Sequence, residues 1–212
     1  MRKILLAAAA ALLSVGAFAQ FRPSFIVNVG YQGANLMQKD VKFDLLSGLR
    51  AGVDVDMSVW NAGAMNLSVR PGLYYSMKGA AESDASLTER LHYIDIPILA
   101  NLTFNAGGFG VFVNAGPYLG FGLGSSTKLG DITSDENLFG KDGIFNVFDI
   151  GMQMGAGAEW NNILLSIGTQ FGIANLDKTV DKVNDVLGEL GSDAKANAVR
   201  NQTFFITVGY RF

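Results

Sequence analysis

The sequence predicts an all-β chain, an eight-stranded antiparallel up-and-down transmembrane β-barrel with short periplasmic turns and long extracellular loops. Three observations predict it. Eight stretches alternate apolar and polar residues with a period of two, the pattern of a strand whose faces meet unlike surroundings. The connections between them alternate between short and long. Twenty-six glycines and 15 phenylalanines stand beside only 4 prolines, a mixture suited to a closed sheet.

The chain opens with Arg2 and Lys3, an apolar run from Ile4 to Leu13, and Ala17-Phe18-Ala19 before Gln20. This predicts a signal peptide over residues 1–19, cleaved after Ala19, and one barrel domain over residues 20–212. The run is shorter than the roughly 20 residues of a spanning helix. Cysteine is absent, which excludes a disulfide scaffold and a lipid-bearing thiol. The formal charge of −3 becomes two units more negative when Arg2 and Lys3 leave, so no nucleic-acid partner is expected.

In the first strand Phe25, Val27, Val29 and Tyr31 alternate with Ser24, Asn28, Gly30 and Gln32, and Ile26 is the apolar exception. The second sets Leu49, Ala51, Val53, Val55, Met57 and Val59 against Arg50, Gly52, Asp54, Asp56 and Ser58. The third sets Leu67, Val69, Leu73, Tyr75 and Met77 against Ser68, Arg70, Gly72, Ser76 and Lys78. In the fourth, Ile94, Ile96, Ile98, Leu102 and Phe104 oppose Asp95, Asn101 and Thr103, with Tyr93 and Leu99 out of pattern. The fifth opposes Val111, Val113, Leu119, Phe121 and Leu123 to five small or polar residues from Gly110 to Gly122. The sixth opposes Phe148, Ile150, Met152, Met154 and Ala156 to Asp149, Gly151, Gln153, Gly155 and Glu159. The seventh opposes Ile163, Leu165, Ile167, Phe171 and Ile173 to Ser166, Gly168, Gln170 and Gly172. The last opposes Phe204, Ile206, Val208, Tyr210 and Phe212 to Thr207, Gly209 and Arg211. Each exceeds the roughly 9 to 11 residues of a tilted membrane strand.

Short turns fall at 60–65, 105–108 and 161–162; long polar segments fall near 33–46, 79–90, 125–145 and 177–201. That asymmetry is the habit of outer-membrane barrels, and an even strand count returns both termini to the periplasm. A hairpin within 177–201 would raise the count to ten.

Alternation alone leaves open which face is inside. A water-soluble barrel would bury the apolar face. Against it, the polar face is rich in glycine and carries Arg50, Asp54, Asp56, Arg70, Asp95, Asp149, Glu159 and Arg211. Small residues and compensating charges suit a narrow eight-stranded lumen. Trp60, Phe104, Phe109 and Trp160 gather at the short turns as one aromatic girdle, with Phe212 near them. Tyr31, Tyr75, Phe121, Phe148, Phe171 and Phe204 lie toward the other rim. The apolar face is therefore expected to meet lipid.

The segment from Tyr93 to Leu99 (YIDIPIL), the stretch from Asp149 to Trp160, Gln170-Phe171-Gly172 and the ending Val208-Gly209-Tyr210-Arg211-Phe212 resemble the PorT-like outer-membrane β-barrel proteins of Bacteroidota. Gln20 after the cleavage site is similar to many secreted proteins of that phylum. The resemblance implies a porin-family, Gram-negative outer-membrane barrel. It implies that Val208, Tyr210 and Phe212 are read by the barrel-assembly machinery, and it carries over no catalytic residue.

For the luminal charges, one reading is a solute path and the other a packed ion-pair plug, which the narrowness of eight strands favours. His92, the one histidine, is expected as a solvated rim residue; a hydrolase would pair it with a serine and a carboxylate, and Ser86 and Glu89 match no such motif. The acids Asp131, Asp135, Glu136 and Asp142 lack calcium-loop spacing. Val180, Val183, Val186, Leu187 and Leu190 recur as one face of a short helix ending near Gly191. The expectation is a non-catalytic outer-membrane barrel without cofactor or metal. Its partners would be outer-membrane lipids, the assembly machinery and an extracellular or envelope protein at the loops. A narrow channel is the alternative, and a lipid- or peptide-hydrolysing enzyme a more distant one.

Overall fold

The structure, a computed structural model, describes residues 23–37, 45–82, 87–129, 132–134, 139, 145–174, 176 and 199–212. The signal peptide, the acidic loop residues, Ser86 and the helix expected within 180–190 lie outside the described residues.

Nine strands form in chain order: β1 (Ser24–Met37), β2 (Leu46–Ala62), β3 (Met65–Glu82), β4 (Leu87–Ala106), β5 (Phe109–Leu129), β6 (Ile132–Ser134), β7 (Phe148–Trp160), β8 (Ile163–Gly172) and β9 (Arg200–Arg211). Eight long strands pair antiparallel with their neighbours in sequence, and β9 returns to β1. The pairings β4–β5 and β5–β7 complete the ring. The short β6 adds to β5 beyond the ring, in the 125–145 segment. The count is eight around the barrel; the β5–β6 hairpin stands in the 125–145 segment, and the segment 177–198, where a further hairpin would raise the count, lies outside the described residues.

Two-residue turns close one end. Gly63 (φ 62°) and Gly107 (φ 65°) adopt left-handed backbone where Ala62 pairs with Met65 and Ala106 with Phe109. At the third turn Asn161 and Asn162 take φ of 46° and 72°. Positive φ at both central positions defines the tight hairpin turn, and asparagine is the side chain that tolerates it best after glycine. The start of β1 and the end of β9 lie at this end, where Phe212 N–H donates to Phe25 O.

The strands run further at the other end than the polar composition of 79–90 suggests. Gly79 pairs with Arg90 and Glu82 with Leu87, so that segment is almost wholly ladder. Once the wall has left the apolar layer its outer face meets water, and strand pairing continues without apolar alternation. The 125–145 segment likewise begins as strand, to Leu129.

Alternation places the apolar face outward. Phe25, Val27, Val29, Leu49, Val53, Leu73, Ile98, Val113, Ile150, Leu165 and Val208 are exposed on the wall, while Asn28, Gln32, Asp54, Ser68, Arg70, Asp95, Asn101 and Gln170 are buried within. Ile26, Tyr93 and Leu99, the residues out of pattern, point into the lumen and are buried.

The luminal glycines are seats for aromatic rings. Tyr74 pairs with Gly52, Phe112 with Gly157, Tyr118 with Gly151 and Phe205 with Gly168. A Cβ at Gly52 would stand 2.6 Å from Tyr74 Cδ1, one at Gly157 2.5 Å from Phe112 Cζ, and one at Gly151 2.6 Å from Tyr118 Cε1. Each inward ring lies flat across the bare backbone of its partner strand, which is how a narrow lumen holds aromatics at all.

Two outcomes test this wall. Val53→Arg on the lipid face should cost about 2–4 kcal/mol in chemical unfolding from vesicles, and the unboiled protein should migrate differently from boiled protein on a gel. Gly52→Val should overpack the Tyr74 seat and cost about 1–3 kcal/mol in the same assay, with a smaller loss when combined with Tyr74→Leu.

Candidate functional site: a cross-braced lumen

All eight charged residues expected on the inner face are placed there, and the structure groups them into tiers. At the short-turn end Arg211 donates twice to Glu159, from Nε to Oε1 at 2.7 Å and from Nη2 to Oε2 at 2.9 Å. Its Nη1 donates to Asp56 Oδ2 at 2.8 Å and Ser24 Oγ at 2.6 Å. Arg70 Nη2 reaches the same Asp56 oxygen at 2.9 Å. A planar guanidinium forks onto a carboxylate in this way and ties four strands, β1, β2, β7 and β9, at the residue next to the C-terminus. These groups, with Ser58, Asn66, Thr103 and Asn105, line a polar cavity of about 220 Å³.

Above it Ile26, Phe112 and Leu164 make an apolar layer, with Arg70 over the Phe112 ring at 5.2 Å. Next, Asp54 Oδ2 accepts from Tyr74 Oη at 2.5 Å and Asn28 Nδ2 at 2.9 Å. Arg50 then crosses the barrel. Its Nη2 donates to Gln153 on β7 at 3.1 Å, four strands away around the ring, and Nη1 donates to Ser76 at 2.7 Å and Asp95 at 3.4 Å. The guanidinium is sandwiched between Tyr74 (4.1 Å) and Phe205 (4.6 Å), so the rings seated on Gly52 and Gly168 hold the cation. A void of about 30 Å³ remains beside Asp54, Arg70, Asn114 and Ser166, room for about one water molecule.

The third tier is centred on Lys78. Its Nζ lies 2.9 Å from Asp95 Oδ1 and 3.1 Å from Asp149 Oδ2, between the rings of Tyr93 and Tyr118. Asp149 also accepts from Tyr118 Oη at 3.0 Å and Asn201 Nδ2 at 2.9 Å. At the long-loop end Phe139, Phe145, Leu176 and Val199 join Ala80, Leu91 and Tyr93 in an apolar cluster, with Tyr93 and Phe139 edge to face at 5.4 Å.

Arg50 is 1% exposed and Lys78, Asp95 and Asp149 are 0% exposed. The Lys78 tier is therefore closed to bulk water, and the Arg50 tier keeps only the small void beside Asp54. Ions buried this deeply recover their desolvation only through close, complete pairing, and each of these cations has two or more acceptors.

Lys78 was legible on the polar face of its strand, but sequence reasoning left it out of the network. Parity was a sufficient signal for it. Gln153, also placed on the polar face, was left out in the same way, while Tyr74, Phe112, Tyr118 and Phe205 were missed for want of strand register, which alone reveals that each faces a cross-strand glycine. His92 departs from expectation: it is half-buried on the outer face, with Tyr75 Oη 2.6 Å from its Nδ1 and the two rings stacked. Tyrosine on the adjacent strand shields it from solvent. Trp60, Phe104, Phe109 and Trp160 stand exposed at the short-turn end, with Phe109 directly opposite Trp160. Val208, Tyr210 and Phe212 face outward on β9 and its end, the last two rings edge to face at 4.9 Å. Among the described residues no group of three metal-ligating side chains could hold an ion.

An apolar outer wall around a charged, cross-braced lumen defines an eight-stranded transmembrane barrel. The chain matches the family model for the outer membrane protein beta-barrel domain over residues 18–178, and it belongs to that family. It is an outer-membrane protein. Its fold is similar to that of Ail, the attachment invasion locus protein of Yersinia pestis, at 14% identity and a TM-score of 0.44, covering 90% of this chain and 99% of that one. It is similar also to Neisserial surface protein A (16%, 0.43, 89% and 97%) and to the outer membrane enzyme PagL (13%, 0.47, 87% and 97%). No curated protein matches the sequence.

Removing one partner from the third tier tests its weight. Lys78→Met leaves two buried carboxylates facing one another and should cost about 3–5 kcal/mol in urea unfolding from lipid. Adding Asp149→Asn should recover part of that loss; no recovery would mean that Lys78 acts through packing alone.

Proposed function

We propose that this protein is a non-catalytic integral outer-membrane barrel whose wall displays extracellular loops for surface interaction or envelope integrity. The observation that carries this reading is Arg50 bonded across the full barrel to Gln153, directly below the buried Lys78 clamp. A lumen braced across its diameter by a charge-assisted hydrogen bond, with ion pairs stacked above it, is a strut, and the work falls to the parts outside the membrane. The prolonged β3–β4–β5 ladder supports display, since it carries the wall beyond the apolar layer as a stiff base for the loops.

In this reading the short turns and termini are periplasmic, and Val208, Tyr210 and Phe212 serve the assembly machinery before they serve the wall. The resemblance to the PorT-like barrels of Bacteroidota is consistent with it. The channel alternative is disfavoured by the tiers, because the 220 Å³ cavity ends at Ile26, Phe112 and Leu164. The hydrolase alternative is disfavoured by His92, whose Nδ1 is engaged by Tyr75 where a catalytic carboxylate would stand.

Refolded protein in planar bilayers should show no steady open levels. Resolvable levels that shift in Arg70→Ala would overturn the closed lumen and favour the channel.

A further inference from the structure

We propose that the outer face of β4 and β5 at the long-loop end is a docking surface for the phosphate of a phosphorylated glycolipid in the outer leaflet, built on Arg90 and Lys128. This deepens the proposed function and rests on its orientation, with the long-loop end outside the cell.

The first observation is the sign of the outward charges. Arg50, Asp54, Asp56, Arg70, Lys78, Asp95, Asp149, Glu159 and Arg211 face the lumen, and Glu89 shares the inward parity of Leu91 and Tyr93. Among the described side chains the outward charges are Arg90, Lys128 and Arg200, all positive and all at the long-loop end. Among the described side chains, therefore, only cations stand where headgroups meet the wall.

The second is height. The outward apolar run of β4 extends from Phe104 to Ile94, eleven residues whose rise at barrel tilt covers roughly 25 Å of bilayer. Tyr75 and His92 follow, stacked with centroids 6.0 Å apart, as amphipathic rings do at an interface. Arg90 lies two residues beyond His92, and Lys128 five beyond the exposed Leu123.

The third is register. Arg90 pairs with Ser126 and Thr88 with Lys128, so the two cations are diagonal neighbours on one face, with Cα atoms about 7–8 Å apart. Like charges at this spacing repel, and among the described residues no carboxylate lies within ion-pair distance of either. A phosphate between them turns that repulsion into two charge-assisted contacts, with the Thr88 and Ser126 hydroxyls at hand. The patch continues without a break into the lipid-covered wall at Ile94, Phe121 and Leu123. An anion arriving on acyl chains is delivered at this height, whereas one in free solution has no such placement.

The test uses the protein in phosphatidylcholine nanodiscs titrated with diphosphorylated lipid A, bound lipid being counted by native mass spectrometry. Arg90→Gln with Lys128→Gln should weaken binding roughly thirty-fold, about fivefold for each basic side chain, with the folded gel mobility retained; Arg200→Gln should leave it within about twofold, because Arg200 stands on a distant strand. Equal binding by the double variant would overturn the proposal, as would an equal loss in Arg200→Gln, the mark of unlocalised attraction. Saturation of the same site by inorganic phosphate alone would overturn lipid docking in favour of a free-anion site. Orientation is read separately: the chain has no cysteine, so Lys128→Cys in whole cells should react with an impermeant maleimide. Labelling without lipid preference overturns the docking alone, and failure to label overturns the orientation beneath it.

Discussion

Everything in this molecule follows from the closure of a sheet inside hydrocarbon. A backbone amide left unpaired in lipid has no water to turn to, so a strand there is tolerated only if both edges are bonded, and the ring β1-β2-β3-β4-β5-β7-β8-β9 leaves none open. With eight strands the circumference is set, and with it a lumen just wide enough for side chains. The chain must then fill that lumen to solid density with residues of the opposite character from its wall. Glycine and aromatic residues are the first part of the solution. Tyr74 on Gly52, Phe112 on Gly157, Tyr118 on Gly151 and Phe205 on Gly168 pair the bulkiest groups with the absence of one across the same ladder rung.

Charges are the second part, and they depend on the first. Arg50 needs Tyr74 and Phe205 above and below it before its fork can reach Gln153, and Lys78 needs Tyr93 and Tyr118 before it can stand between two carboxylates. A lumen filled with leucine would pack as well and be cheaper in desolvation. What it would lose is register, since an apolar filling accepts a one-rung slip that a bidentate arginine or a shared lysine refuses. Arg211 illustrates the point at the seam: it joins the last strand to β7, β1 and β2 by bonds whose geometry fixes where β9 lies against β1.

How much of this was legible depended on whether the signal was local. Alternation is local, and it located all eight long strands and the eight charged luminal residues; the three short turns were marked by glycine and asparagine at the positions that need positive φ. Strand ends were not local, because beyond the bilayer the outer face stops requiring apolar residues, and Gly79 to Arg90 reads as loop while pairing as ladder. The cross-barrel partners were not local either. That Arg50 finds Gln153, 103 positions away, follows from shear and strand order, which no window of sequence contains. Inward aromatics such as Phe112 and Phe205 look like errors in the pattern until the glycine opposite each is known.

The two mouths of the barrel obey different rules for the same reason. Two-residue turns bring no spare chain, so the short-turn mouth is left as a polar cavity held by Arg211, Asp56 and Glu159. The other mouth has chain in abundance, and part of it is drawn inward: Phe139 lies over Gly122 and against Tyr93, Asn146 N–H donates to Leu176 O, and Leu176 N–H to Val199 O. This apolar seal keeps water from the Lys78 tier, and without it the buried ions below would be solvated and their attraction weakened several-fold by the higher dielectric. Phe139, Phe145, Leu176 and Val199 therefore serve the barrel itself, by closing its lumen over Ala80, Leu91 and Tyr93.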